Sequence, residues 1–374
     1  QNQSSAASDV YKRQLLYISI ILYGTNLISQ NSDQIIVNDS ITNLDEVIIK
    51  SNTILGNKFV ARNRTGAAYY LSTDELADFN YTDINRALNK ISGVNFYEED
   101  GFGLRPNISI RGTSPERSSK IAIMEDGILI SPAPYSASSA YYFPSVARMQ
   151  AVEVLKGSSQ IQYGPYTTGG AINFVSTEIP KSFQGKISSS YGSFNTGQTY
   201  STVGSSNGNF GYMIEYLNYN SDGFKALGNN LNTGFDINEI TSKIRLNSSD
   251  QSLISQSLEF KFHYYDEISN ETYLGLTEDD FDINPLLRYP GSEKDKMDAE
   301  HTQYLITHQL NLSERFKITS NIYYNGFKRN WYKLDDIVYN GDSQKISKVL
   351  SNPDKYSGHM LSLIHISEPT RLRS

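Results

Sequence analysis

The chain has 374 residues with 27 Tyr, 16 Phe, one Trp, no Cys and a net charge of −7. The lack of Cys excludes a disulfide framework, a thiolate metal site and a cysteine nucleophile, and an acidic balance without a basic stripe argues against nucleic acid. Only 38% of the residues are hydrophobic although aromatics abound, which suits a membrane β-barrel whose apolar residues sit at alternate positions.

In chain order, the stretch Gln1–Gln14 (QNQSSAASDVYKRQ) has neither helical nor strand period. It reads as translated linker foreign to the fold, as does Leu361–Ser374, and both are set aside. The apolar run over 15–29 falls short of the roughly 20 residues of a spanning helix. It fits the h-region of a signal peptide, cleaved near Ser29, which implies export. A polar segment over 30–52 follows. Within it Leu44, Asp45, Glu46, Val47, Ile48 and Ile49 can extend as a strand. Such a segment can add to a sheet edge on a partner, so that main-chain hydrogen bonds bear a load.

Residues 53–180 read as a compact α+β domain. Thr82 is placed to cap a helix with Ile84, Leu88 and Ile91 on one face, and Gly93 to end it. Ile121–Met124 and Ile128–Ile130 flank Asp126-Gly127, a hairpin signal. Val152–Leu155 forms a buried strand, and a turn or short helix over Ser158–Gly164 precedes the strand Ala171–Val175. From 183 to 360 the pattern changes to long alternating strands, roughly seven of them before Leu334. Leu258, Phe260, Phe262 and Tyr264 face one side; Glu259, Lys261 and His263 face the other. A β-sandwich shares this period, but its strands run nearer to about 5–6 residues. In HYYDE (His263–Glu267), His263 points inward and Asp266-Glu267 begins a loop, so no metal site is expected. H-E-x-x-H is not present and no His lies beside a credible nucleophile, which argues against a hydrolase.

Five motifs stand in a fixed order: LDEVIIKS (Leu44–Ser51), ISIRG (Ile108–Gly112), MEDG (Met124–Gly127), VEVLKG (Val152–Gly157) and YGPYTTGGAINFVSTEIP (Tyr163–Pro180). Together they resemble the plug domain of TonB-dependent outer-membrane receptors. The resemblance implies an α+β plug followed by an incomplete antiparallel transmembrane β-barrel, about 7 of about 22 strands. It implies a bacterial outer-membrane transporter rather than an enzyme, in contact with outer-membrane lipid. Leu44–Ile49 would be the TonB box, engaged by a TonB-type energy transducer in the periplasm. Arg111 would lock the plug to acids on the barrel wall. No cofactor is implied, iron being carried only inside a chelated ligand. The run DGI followed by APY, and the loop Asn270–Tyr289, are closest to receptors for ferric citrate, iron(III) dicitrate. An anionic ligand of that kind calls for cations and aromatic walls without direct metal ligation. Arg105, Arg117 and Arg288 are the candidate cations, and Tyr135, Tyr141 and Tyr142 the candidate walls. The shortness of Gln30–Asn43 implies a receptor without a folded periplasmic signalling domain. Another siderophore, haem, cobalamin or an oligosaccharide stays open as ligand, and so does a soluble exported binding module.

Overall fold

The computed structural model describes residues 53–64, 66–77, 83–130, 142–228, 231–249, 252, 254–270, 272–313 and 315–364, all within one compact unit, Glu46–Ser374. The segment Leu44–Ile49, the apolar run 15–29, Thr82, Tyr135 and Tyr141 lie outside the described residues.

The N-terminal domain carries strands β1 (Ala67–Leu71), β2 (Val94–Tyr97), β3 (Asn107–Ile110), β4 (Ile121–Glu125), β5 (Ile128–Leu129), β6 (Met149–Lys156) and β7 (Gly170–Ser176). Five of them form a mixed sheet in the order β1-β6-β7-β4-β5, with β4 parallel to β7. The strand β7 is buried along its whole length and β6 nearly so. Both faces of these strands are covered, and their polar residues Glu153 and Asn173 bond to each other inside the domain. Asp126 and Gly127 both adopt positive φ, 51° and 77°, which is the turn geometry the dipeptide announces. At Gly170 a Cβ would lie 2.6 Å from the Leu155 carbonyl oxygen, so only glycine lets β6 and β7 approach this closely. The helix Ile84–Leu88 starts one residue later than expected. Its cap is Asp83, whose Oδ1 accepts the Asn85 N–H at 2.8 Å.

The second part is a seven-stranded antiparallel meander: β8 (Gln184–Tyr191), β9 (Gly197–Asn207), β10 (Phe210–Ser221), β12 (Phe235–Asn247), β13 (Ser255–Ser269), β15 (Lys296–Ser313) and β16 (Phe316–Tyr332), each paired with the next. The short strands β11 (Ala226–Leu227) and β14 (Leu287–Arg288) pair in parallel between two loops. From β9 onward the meander strands run 11 to 18 residues. That meets or exceeds the roughly 9–11 residues a tilted strand needs to cross a bilayer. Burial alternates along β10, β12, β13 and most of β15, while the edge strands β8 and β16 are largely exposed on both faces. On β13, Glu259, Lys261, His263 and Glu267 are buried inward, while Leu258, Phe260 and Ile268 are exposed outward. Asp266 and Glu267 thus belong to the strand, not to a loop, because an inward carboxylate fits the polar lining of such a sheet.

Connections at one end of the meander are short, such as 208–209, and at the other end long: 222–234, 270–295 and 333–364. In a transmembrane barrel the short turns are periplasmic and the long loops external. The long loops carry the hairpin β17 (Asp336–Tyr339) with β18 (Asp342–Lys345), and a small core of their own around Tyr289, Ile337, Val349 and Met360. The boundary read at Leu361 falls inside the helix Ser357–Ile364, where Leu363 is buried. No described helix is long and apolar enough to cross a membrane.

The two parts share one core. Ile84, Ile108, Val152 and Phe174 of the N-terminal domain cluster with Tyr219, Phe235, Ile237 and Tyr265 from the inner face of the meander. The domain therefore completes its hydrophobic core only against the sheet.

Candidate functional site

The chemistry of this chain concentrates where the N-terminal domain meets the inner face of the sheet. Arg148 leads into β6 and is almost wholly buried. Its Nη1 and Nη2 donate to the two oxygens of Glu125, at the end of β4, at 2.7 and 2.8 Å. Its Nε donates to Glu239 Oε2 on β12 at 2.5 Å. From β13, Lys261 Nζ donates to Glu125 Oε1 at 2.6 Å and to Asp126 Oδ2 at 2.5 Å. The Tyr142 hydroxyl donates to Glu125 Oε2 at 2.8 Å and accepts from Arg148, and Ser145 donates to Glu239. Three carboxylates thus face two cations in a buried interface.

A second buried pair joins Arg105 Nη2 to Glu267 Oε1 at 2.6 Å, with Tyr265 donating to the same carboxylate. Smaller ties spread along the wall. Lys243 Nζ donates to the Thr177 carbonyl at 2.7 Å, and Asn325 Nδ2 donates to the Leu129 carbonyl at 3.1 Å. The domain is held to β12, β13 and β16 by polar groups that the inward side of each strand supplies.

Residues 60–171 match the family model for the TonB-dependent Receptor Plug Domain. The N-terminal domain is a TonB-dependent receptor plug. Solved structures agree on the architecture. The chain is similar to the unliganded ferric citrate transporter FecA at 23% identity and a TM-score of 0.63, covering 75% of this chain and 42% of that one. For the ferric yersiniabactin uptake receptor FyuA from Yersinia pestis the figures are 18%, 0.59, 74% and 43%. For the siderophore receptor PiuA from Acinetobacter baumannii they are 18%, 0.55, 71% and 37%. The meander is a partial barrel wall of that fold, and the chain spans less than half the length of these structures.

The plug–barrel charge cluster has a defined electrostatic sense. Burial opposes ionisation of Glu125, but Arg148 and Lys261 outweigh it and hold the carboxyl well below its ordinary range. Burial likewise opposes ionisation of Asp126, and Lys261 overcomes it. A carboxylate with a depressed pKa stabilises the folded state above its unfolded pKa, and this stabilisation is lost as pH falls through the folded value. The contribution of Glu125 and Asp126 to plug attachment is therefore expected to be constant from pH 8 down to about 5 and to weaken only below about 4. Hydrogen exchange of plug amides across that range checks this; a transition centred near pH 6–7 would contradict it.

Several site residues sit elsewhere than the sequence led us to expect. Tyr142, assigned to the ligand, is buried in plug–barrel contacts, while Arg105 is buried in its pair with Glu267 and also lines the cleft that Arg117 lines. Tyr142 stacks on His301 at 4.1 Å between ring centroids. Arg111 is exposed, with φ 58°, and its guanidinium lies beside Gly157 at the end of β6. The plug's own cations in the buried cross-links described above are Arg148 and Arg105. Arg288 lies in the outer-loop pair of β11 and β14, donating to the Leu287 and Pro285 carbonyls. Arg117 is held at φ 50°, its N–H donating to Asn107 Oδ1 at 2.8 Å. It lines a small cleft of about 50 Å³ between the plug and the wall residues Tyr273, Met297, Arg329 and Trp331. Arg329 and Lys333 both lie over the Trp331 ring, at 5.4 and 4.6 Å.

Sequence reasoning missed Arg148, Glu125, Glu239 and Glu267. The available signal was charge at inward strand positions, which a polar lumen tolerates but which here is too regular to be solvation alone.

Proposed function

We propose that this chain is the N-terminal part of a TonB-dependent outer-membrane receptor that imports a ferric chelate. The observation that carries this reading is a plug domain joined by buried ion pairs to the inner face of a sheet whose outer face is apolar. Ligand binds on the external side and biases the segment Leu44–Ile49 toward release. A periplasmic energy transducer pairs with that segment by strand addition and pulls, and the plug rearranges to open a passage. The chain performs transport and no bond-breaking chemistry. Iron passes as cargo inside the chelate, and no side chain is required to ligate it.

Ferric citrate is the ligand we favour. The complex is anionic, and the cleft between plug and wall is lined by Arg105, Arg117 and Arg329 against one acid, Glu99, with Arg329 over the Trp331 ring. The likeness to FecA supports this choice, while the likeness to FyuA keeps other ferric siderophores as the second reading. The purified complete receptor should bind ferric citrate, and Arg117→Ala combined with Arg329→Ala should weaken binding by about tenfold or more, as expected for lost charge-assisted bonds. Binding of another ferric siderophore and not citrate would move the ligand. Binding of no ferric chelate would contradict the reading.

A further inference from the structure

The plug holds a fully buried carboxylate, Glu153 in the middle of β6, that takes no part in the charge cluster. Its Oε1 accepts the backbone N–H groups of Leu55 at 2.9 Å and Gly56 at 2.7 Å, and its Oε2 accepts that of Ile54 at 2.7 Å. Three consecutive N–H groups converge on one anion because Gly56 takes φ 79°, closing a concave nest of the kind that binds anions. The Leu55 side chain is buried beside Ala61, Met124 and Leu155, so the segment is pinned by packing as well.

The same carboxylate is tied inward. Asn173 Nδ2 donates to Glu153 Oε2 at 2.8 Å, and Asn173 Oδ1 accepts the Gly127 N–H at 2.8 Å. Gly127 follows Asp126, which holds Lys261 of the barrel wall. A continuous run of hydrogen bonds therefore leads from residues 54–56 through the central strands of the plug to the barrel.

We propose that Glu153 is the positioning residue through which a pull on Leu44–Ile49 enters the plug, an inference that rests on the import reading above. Residues 54–56 are the first described anchor met by a load arriving from that side. With the clasp closed, three charge-assisted bonds are loaded together, and the force passes into β6, which lies between β1 and β7. With the clasp open, the same force peels β1 from β6 beginning at the pair Ala67 and Lys156, breaking bonds one after another. Glu153 thus decides whether the transducer moves the centre of the sheet or only frays its edge.

The test pulls the complete receptor in liposomes from a handle ahead of residue 44, and measures ferric chelate import by the same variants in cells. Wild type should show an early rupture event, the release of 54–56, before the sheet yields. Glu153→Gln puts an amide donor against N–H donors, and Gly56→Ala strains the nest without touching the carboxylate. Both should remove the early event and lower the maximal import rate by about tenfold or more, with KM and membrane levels unchanged. Adding Asn173→Asp to Glu153→Gln restores an acceptor for the new amide and should recover part of both. An early event unchanged in Glu153→Gln overturns the proposal, as does an event abolished with import at the wild-type rate. A wild-type receptor that shows the event but imports no ferric chelate overturns the import reading and leaves the clasp standing.

Discussion

Replacing Arg148 by methionine is expected to loosen the plug more than any other single change at the interface. The substitution keeps most of the side-chain volume but leaves Glu125 and Glu239 without the guanidinium that bridges them. Lys261 still reaches Glu125, whereas Glu239 keeps only its neutral partner Ser145 among the bonds described above. Removing one partner of a buried ion pair costs about 3–5 kcal/mol, mostly as the penalty of the charge left behind. Denaturant unfolding of the complete receptor, followed by exchange of amides in β4, β6 and β7, measures the loss. Arg148→Met combined with Glu239→Gln should recover part of it, since the two positions act through one network. A cost below about 1 kcal/mol, the range of exposed pairs, would show that the cluster does not hold the plug.

Lys261→Met tests the same interface from the barrel side. Here the plug's own fold should survive, because Asp126 keeps its bonds to the Ser176 N–H and hydroxyl and Glu125 keeps Arg148. What is lost is attachment to the wall, by about 2–5 kcal/mol. Cells carrying this variant should become permeable to a hydrophilic antibiotic too large for general porins, with wild-type amounts of receptor in the membrane. Unchanged permeability together with unchanged plug exchange would contradict the assignment.

The sequence makes the strands legible and the pairings not. Alternation alone places Leu258 and Phe260 outside and Lys261 inside, because a period of two fixes the face. Nothing local says that Lys261 meets Glu125, which lies 136 positions earlier. Asp266-Glu267 reads as a loop because two acids interrupt an apolar rhythm, yet Glu267 occupies the inward position that a polar lumen favours. Arg105 reads as an exposed cation because it precedes a proline in a polar stretch, and only the closing of the wall around it creates its partner. Thr82 and Asp83 are both competent caps, and the backbone chose the second. The Glu153 clasp was hidden for another reason: Val152–Leu155 reads as a buried strand, and nothing local says that the segment before Asn57 supplies the N–H groups its glutamate accepts.

Uptake of radiolabelled ferric citrate by cells expressing the complete receptor, with and without deletion of Asp45–Ile48, tests the account most directly. Import driven through Leu44–Ile49 predicts energy-dependent uptake by the intact receptor and its loss in the deletion, with surface binding of the chelate preserved. Equal uptake by both forms would show that the receptor does not take its energy through that segment.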